Sequence, residues 1–171
     1  MELENKILSK EIHYLLYETE KTLGTAESCT GGRIAEAIIA APGSSHYFKG
    51  SIVSYVDEIK EKLLHVDAKL IEEKNAVSEE VAIAMVEGAC DALDVTYAIA
   101  ATGFAGPGGG TPEIPVGTIW IACGTKGDVI TEKIFSDEGR DLNLANATHK
   151  ALQLFLSYLQ SVEGLALSVE G

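Results

Sequence analysis

"VTYAIAATG", Val95 to Gly103, is a nearly unbroken apolar run, and its reading decides the fold. A strand with one wet face alternates apolar and polar residues. A continuous run predicts a strand covered on both faces, as in the middle of an α/β sheet. Upstream, "VSEEVAIAMVEGACDAL" predicts a helix. Ser78 is placed to cap it, Glu79 and Glu80 suit its positive end, and Val81, Ala84, Met85 and Ala89 form a core-facing stripe. Downstream, "VGTIWIACG" and "DVITEKIF" predict a hairpin around Gly124 to Gly127.

The remaining elements extend this alternation. Ile7, Leu8, Ile12, Leu15 and Leu16 recur at helical spacing over residues 4–22, with Gly24 as the expected stop and a short strand running into Glu27. A turn at Ser28 to Gly32 opens a helix carrying Ile34, Ala35, Ile38 and Ile39, which "APGSS" ends. A strand is expected over Ser51 to Val56, then helices over Asp57–Leu64 and Ala68–Lys74, and a last helix from about Asp141 to Leu159. Strands separated by helices in this order predict an α/β fold. It is a three-layer α/β/α sandwich with a mixed, mostly parallel sheet, in one domain over 1–160. The tail 161–171 has no clear period and is expected to fray.

Bulk properties exclude several functions. The chain has 171 residues and a net charge of −13, with no run of Lys or Arg. Phosphate-backbone binding needs clustered positive charge, so nucleic acid is not an expected partner. No apolar run is long enough to span a bilayer, and "MELENKILSK" lacks a signal-peptide core. Cys29, Cys90 and Cys123 show no CxxC spacing, which suits free thiols in a reducing cytoplasm. The four histidines show no HExxH spacing, so no metal site and no cofactor is expected.

Two loops follow predicted strands, where α/β sheets place their ligands. "TGFAGPGGGTP" holds Gly103, Gly106, Gly108, Gly109 and Gly110. Glycines let backbone N–H groups approach an anion. However, no Walker lysine follows and a strand comes next, so composition alone favours a wide glycine turn. In "TAESCTGGRIAEAI", Ser28 is either a plain helix cap or a nucleophile backed by N–H groups of Cys29 to Gly32. A nucleophile needs a base, and no histidine offers itself. In "SYVDEIKEKL", Tyr55 ends a strand and Lys60 lies one turn into the next helix. A desolvated lysine can deprotonate a serine, and a tyrosine can relay or orient that proton. Spacing alone favours a solvated Lys60, like Lys62, and Cys29 is read as a small buried residue.

With those residues in hand, the chain resembles the CinA C-terminal domain family, the nicotinamide-nucleotide amidohydrolases. The resemblance rests on "AESCTGGRIAEAI", "PGSSHYFKGSIVSYVDEIK", "ATGFAGPGGGTPEIPVGTIW" and "GRDLNLANATHKAL", in that order. It implies a stand-alone, often dimeric three-layer domain in the cytoplasm that hydrolyses the carboxamide of nicotinamide mononucleotide without metal or cofactor. It assigns catalysis to Ser28, Tyr55 and Lys60. It assigns binding of the small nucleotide to Glu27, Cys29, Thr30, Gly31, Gly32, Ser45, Thr102, Gly103, Gly106, Gly108, Gly109, Gly110 and Arg140.

Three positions depart from the family pattern. Asp57 stands where Asn is usual, a second arginine of the late block is missing near Leu144 or Ala145, and Ile114 replaces a frequent lysine. An ionised Asp57 close to Lys60 makes it a poorer base, and a lost guanidinium weakens anion binding. The competing readings are a non-catalytic nucleotide-binding paralogue with a regulatory role and an amidase for another small amide.

Overall fold

A computed structural model describes residues 1–170, with side chains through 163. Five strands, β1 (Leu23–Glu27), β2 (Phe48–Val53), β3 (Tyr97–Gly103), β4 (Thr118–Thr125) and β5 (Asp128–Phe135), form one sheet in the order β2-β1-β3-β4-β5. β1 pairs in parallel with both β2 and β3, whereas the β3–β4 and β4–β5 pairs are antiparallel. Only β4 therefore runs against the rest. The carboxyl ends of β1, β2, β3 and β5 share one edge of the sheet.

Helices α1 (Glu2–Leu16), α2 (Arg33–Ile39) and α6 (Arg140–Glu170) cover one face, and α3 (Asp57–Leu64), α4 (Ala68–Lys74) and α5 (Glu79–Leu93) cover the other. The pleat of β3 sorts its residues between them. Tyr97, Ile99 and Ala101 join Ile12, Leu16, Ile34 and Phe155, while Ala98 and Ala100 meet Val81, Met85 and Ala89 of α5. Each fully buried Ile or Leu of the first layer contributes about 1.5–3 kcal/mol. Small residues on the α5 face let that helix lie close. Gly88 carries this furthest, since a Cβ there would stand 2.1 Å from the Leu64 carbonyl oxygen of α3. The expected caps hold: Ser78 accepts from the Val81 N–H at 3.3 Å.

Several expected boundaries move. α1 stops at Leu16, where Thr19 Oγ1 donates to the Leu16 carbonyl at 2.8 Å and draws the chain into a turn. Gly24 is then a strand residue and not a helix stop. A Cβ on it would lie 2.6 Å from Leu93 Cδ1, so its role is to admit the end of α5. β2 begins and ends three residues earlier than the expected Ser51–Val56, because the chain leaves the ladder to turn the Ser54 and Tyr55 carbonyls toward Lys60. β3 starts at Tyr97, two residues later than the apolar run. The last helix continues past Leu159 to Glu170; the expected fraying of the tail falls largely outside the described side chains.

Candidate active site

β1 delivers Ser28 at the shared carboxyl edge, in a turn held from below by Glu27. The Glu27 carboxylate is fully buried and accepts from the N–H groups of Gly32 (3.2 Å), Ile34 (2.9 Å) and Ala35 (3.0 Å) and from Thr25 Oγ1 (3.0 Å). Its negative charge occupies the start of α2. Glu27 is thus the fastener of the Ser28 turn, not part of the cleft surface. The turn itself uses the Gly31 N–H, which donates to the Ser28 carbonyl at 3.2 Å. The oxyanion donors expected from Cys29 to Gly32 therefore narrow to the N–H groups of Cys29 and Thr30, which have no acceptor among the described residues.

α3 brings Lys60 to that turn. Lys60 shares the inner face of α3 with Leu64, four residues on, whereas Lys62 points out to solvent. Only 1% of Lys60 is exposed, and its Nζ stands 2.8 Å from Ser28 Oγ, 2.9 Å from the Ser54 carbonyl oxygen and 3.4 Å from that of Tyr55. Burial lowers the Lys60 pKa from the ordinary lysine value, against a smaller upward pull from Asp57. An ammonium loses several kcal/mol of hydration in such a place, so burial shifts the balance toward the neutral amine. Nζ donates to all three oxygens, and loss of one proton leaves a lone pair at the position that faces the serine hydroxyl. Asp57 Oδ1 lies 3.9 Å from Nζ with its side chain 58% exposed, so water screens much of its influence.

Tyr55 enters differently from the expected proton relay. Its carbonyl, not its ring, faces the pair, lying 3.3 Å from Ser28 Oγ. Its hydroxyl accepts from Arg140 Nη2 at 3.2 Å. Arg140, the first residue of α6, also donates through Nη1 to the Gly106 carbonyl at 2.7 Å. Cys29 sits beside Ser28, but burial pushes its thiol up to about 12, which removes it as a nucleophile.

Ser28, Cys29, Tyr55, Gly103, Gly106, Gly108 and Arg140 line one cleft of about 210 Å³ together with Phe104 and Ala105. The other proposed binding residues separate from it. Thr102 is buried and ties β3 to the α4–α5 connection through the Ala76 carbonyl at 2.9 Å. Ser45 is exposed in a short turn before β2, at the opposite edge of the sheet. Gly109 packs over Phe104, and Gly110 closes the loop against Val116. Thr30 is buried with a hydroxyl that finds no partner among the described residues. Of the departures, Leu144 is buried in the α1/α6 layer, and Ala145 faces a separate cavity beside Met1 and Arg33. Ile114 and Asp57 line a neighbouring cavity with Glu72 and Glu113.

Three contributors escaped sequence reasoning: the Ser54 carbonyl, the Phe104 ring and Asn143. Asn143 Nδ2 donates to the Ala105 carbonyl at 3.0 Å and its Oδ1 accepts from the Glu138 N–H at 2.9 Å, fixing the glycine-rich loop to α6. A backbone carbonyl leaves no trace in the sequence. Asn143, however, was readable as a polar residue on an otherwise apolar helix face.

Comparison with known proteins agrees with this fold. The CinA C-terminal domain family matches residues 5–159. A CinA-like protein of Leptospira borgpetersenii is 49% identical over 119 residues, covering 70% of this chain and 28% of that protein. Another, from Gloeobacter violaceus, is 40% identical over 158 residues, covering 91% and 37%. The chain thus spans about a third of the length of these relatives. The crystal structure of the competence/damage inducible protein CihA from Agrobacterium tumefaciens superposes with a TM-score of 0.86 at 31% identity, over 90% of this chain and 94% of that one. A CinA superfamily protein from Escherichia coli gives 0.84 at 36% identity, over 89% of each. With the match running from α1 through most of α6, the chain belongs to the CinA C-terminal domain family.

Proposed function

We propose that this protein is an amidohydrolase that deamidates nicotinamide mononucleotide, with Ser28 as nucleophile and Lys60 as base. The observation that carries the reading is the 2.8 Å contact between Ser28 Oγ and a buried lysine whose pKa is lowered. Ser28 Oγ attacks the carboxamide carbon while neutral Lys60 takes the hydroxyl proton. The negative charge that develops on the amide oxygen meets the free N–H groups of Cys29 and Thr30. Lys60, now an ammonium, returns the proton to the departing nitrogen, so ammonia leaves and an ester on Ser28 remains. A water then attacks that ester with Lys60 as base, and the proton passes back to Ser28 as nicotinate mononucleotide departs. Arg140 at the mouth supplies positive charge for the phosphate, and Gly103 to Gly108 form the wall along which the nucleotide lies.

One competing reading has an observation in its favour. Asp57 near Lys60, with no second arginine at the cleft, suits a paralogue that binds the nucleotide but turns it over slowly. Ammonia release from nicotinamide mononucleotide, measured for the wild type beside Ser28→Ala, separates the two. Turnover that is lost in the variant supports the amidase. Binding without turnover in the wild type would sink it.

A further inference from the structure

The charges around the reacting atoms bear on what the cleft will hold. Asp57 Oδ1 lies 3.9 Å from Lys60 Nζ, which in turn lies 2.8 Å from Ser28 Oγ. The carboxylate is therefore within about 7 Å of the serine oxygen, near enough for a bound charge to feel it. Phe104 and Tyr55 bring aromatic rings to the same cleft. Positive charge is scarcer. Among the described residues that line the cleft, Arg140 is the only cation, and its guanidinium is tied to the Gly106 carbonyl and the Tyr55 hydroxyl.

The reaction proposed for Ser28, on which this inference rests, fixes how those charges change. Lys60 must be neutral to take the serine proton, and in that state Asp57 has lost its cation. Among the described residues Asp57 has no other ion-pair partner. A neutral ligand leaves the carboxylate uncompensated beside the reacting bond. A ligand whose ring carries a fixed positive charge compensates it, and the face of an aromatic ring such as Phe104 attracts the same charge. When Lys60 then gains the proton, two cations stand side by side, and Asp57 attracts both. An asparagine at this position would do neither.

We infer that the cleft selects carboxamides borne on a positively charged aromatic ring, and that Asp57 sets this preference. In nicotinamide mononucleotide the ring nitrogen carries the charge, two bonds from the carbon that bears the carboxamide. The reduced, dihydro form keeps the ribose, phosphate and carboxamide but has no charge on the ring. The site thus takes the oxidised nucleotide in preference to the reduced one, through a group that is neither the nucleophile nor the base.

Affinities of Ser28→Ala for the two forms, read by calorimetry, test this without turnover. The oxidised form is expected to bind more tightly. Adding Asp57→Asn should cut that preference about fivefold or more, the size expected for charges about 7 Å apart under partial screening. Asp57→Glu keeps the charge and should keep most of the preference. With Ser28 intact, the ratio of kcat/KM for the two forms should fall by a similar factor in Asp57→Asn. The differing reactivity of the two rings cancels when variants are compared in this way. Equal affinity for the two forms, or a preference that Asp57→Asn leaves unchanged, overturns the inference while the amidase reading stands. A cleft that binds neither form overturns both.

Discussion

Asp57 Oδ1 stands 3.9 Å from Lys60 Nζ, one helical turn away on α3, and among the described residues it is the only carboxylate pulling on that amine. Burial and Asp57 act in opposite directions on Lys60, and burial prevails. Replacing Asp57 with Asn removes the upward pull, so the Lys60 pKa falls further and more of the amine is neutral at pH 7. The acidic limb of the kcat/KM profile is expected to move to lower pH, with Asp57→Glu returning it toward the wild-type position. A limb that stays in place in Asp57→Asn would show that Lys60 is not the titrating base.

The same lowered pKa has a signature in stability. Folded Lys60 releases its proton below the ordinary lysine value of about 10.4, so over that interval the unfolded chain holds more protons. The penalty for keeping Lys60 buried is fully present at low pH and is relieved as pH rises toward the unfolded value. Relative to Lys60→Met, wild-type stability should therefore increase between pH 7 and pH 10, as read from urea midpoints. Lys60→Met should also lose about 10³-fold or more in kcat, like Ser28→Ala, and the double variant should lose little beyond either one.

Glu27→Ala tests the fastener. It leaves the N–H groups of Gly32, Ile34 and Ala35 without their acceptor beneath a buried turn. A loss of about 2–4 kcal/mol in unfolding free energy is expected, with reduced kcat because Ser28 is no longer held. Full stability in this variant would mean that the turn is maintained by other contacts.

Gly88→Ala tests the seating of α3 on α5. The new Cβ would meet the Leu64 backbone carbonyl at 2.1 Å, so α3 must shift and carry Lys60 with it. A destabilisation of about 1–3 kcal/mol is expected, together with weaker turnover. Gly88 does not line the cleft, so a normal KM with lowered kcat would assign the loss to Lys60 placement.

Arg140→Gln should behave in the opposite sense. The guanidinium faces the cleft mouth through Tyr55 and Gly106 and does not touch Ser28 or Lys60. KM for the mononucleotide is expected to rise about tenfold or more with a smaller change in kcat, and a substrate lacking the phosphate should show little effect.

By itself the sequence determined the layers. The unbroken run at Tyr97–Gly103, the capped helix after Ser78 and the glycine-bounded hairpin each carry a local physical signal, and all three form as expected. Ser28 and the glycine-rich loop were marked by small residues following strands, a pattern that depends only on neighbours in the chain. Lys60 was not distinguishable from Lys62 in this way, because both are lysines on one short helix. What separates them is which face α5 covers, and that is decided by the packing of Gly88 against Leu64. Likewise Glu27 and Tyr55 were read by residue type, as a ligand contact and a proton relay. Tertiary structure gave the Glu27 carboxylate to the backbone of its own turn and the Tyr55 hydroxyl to Arg140, leaving only the Tyr55 carbonyl for the Ser28–Lys60 pair. Burial and long-range hydrogen bonding settle such roles, and neither is written in local sequence.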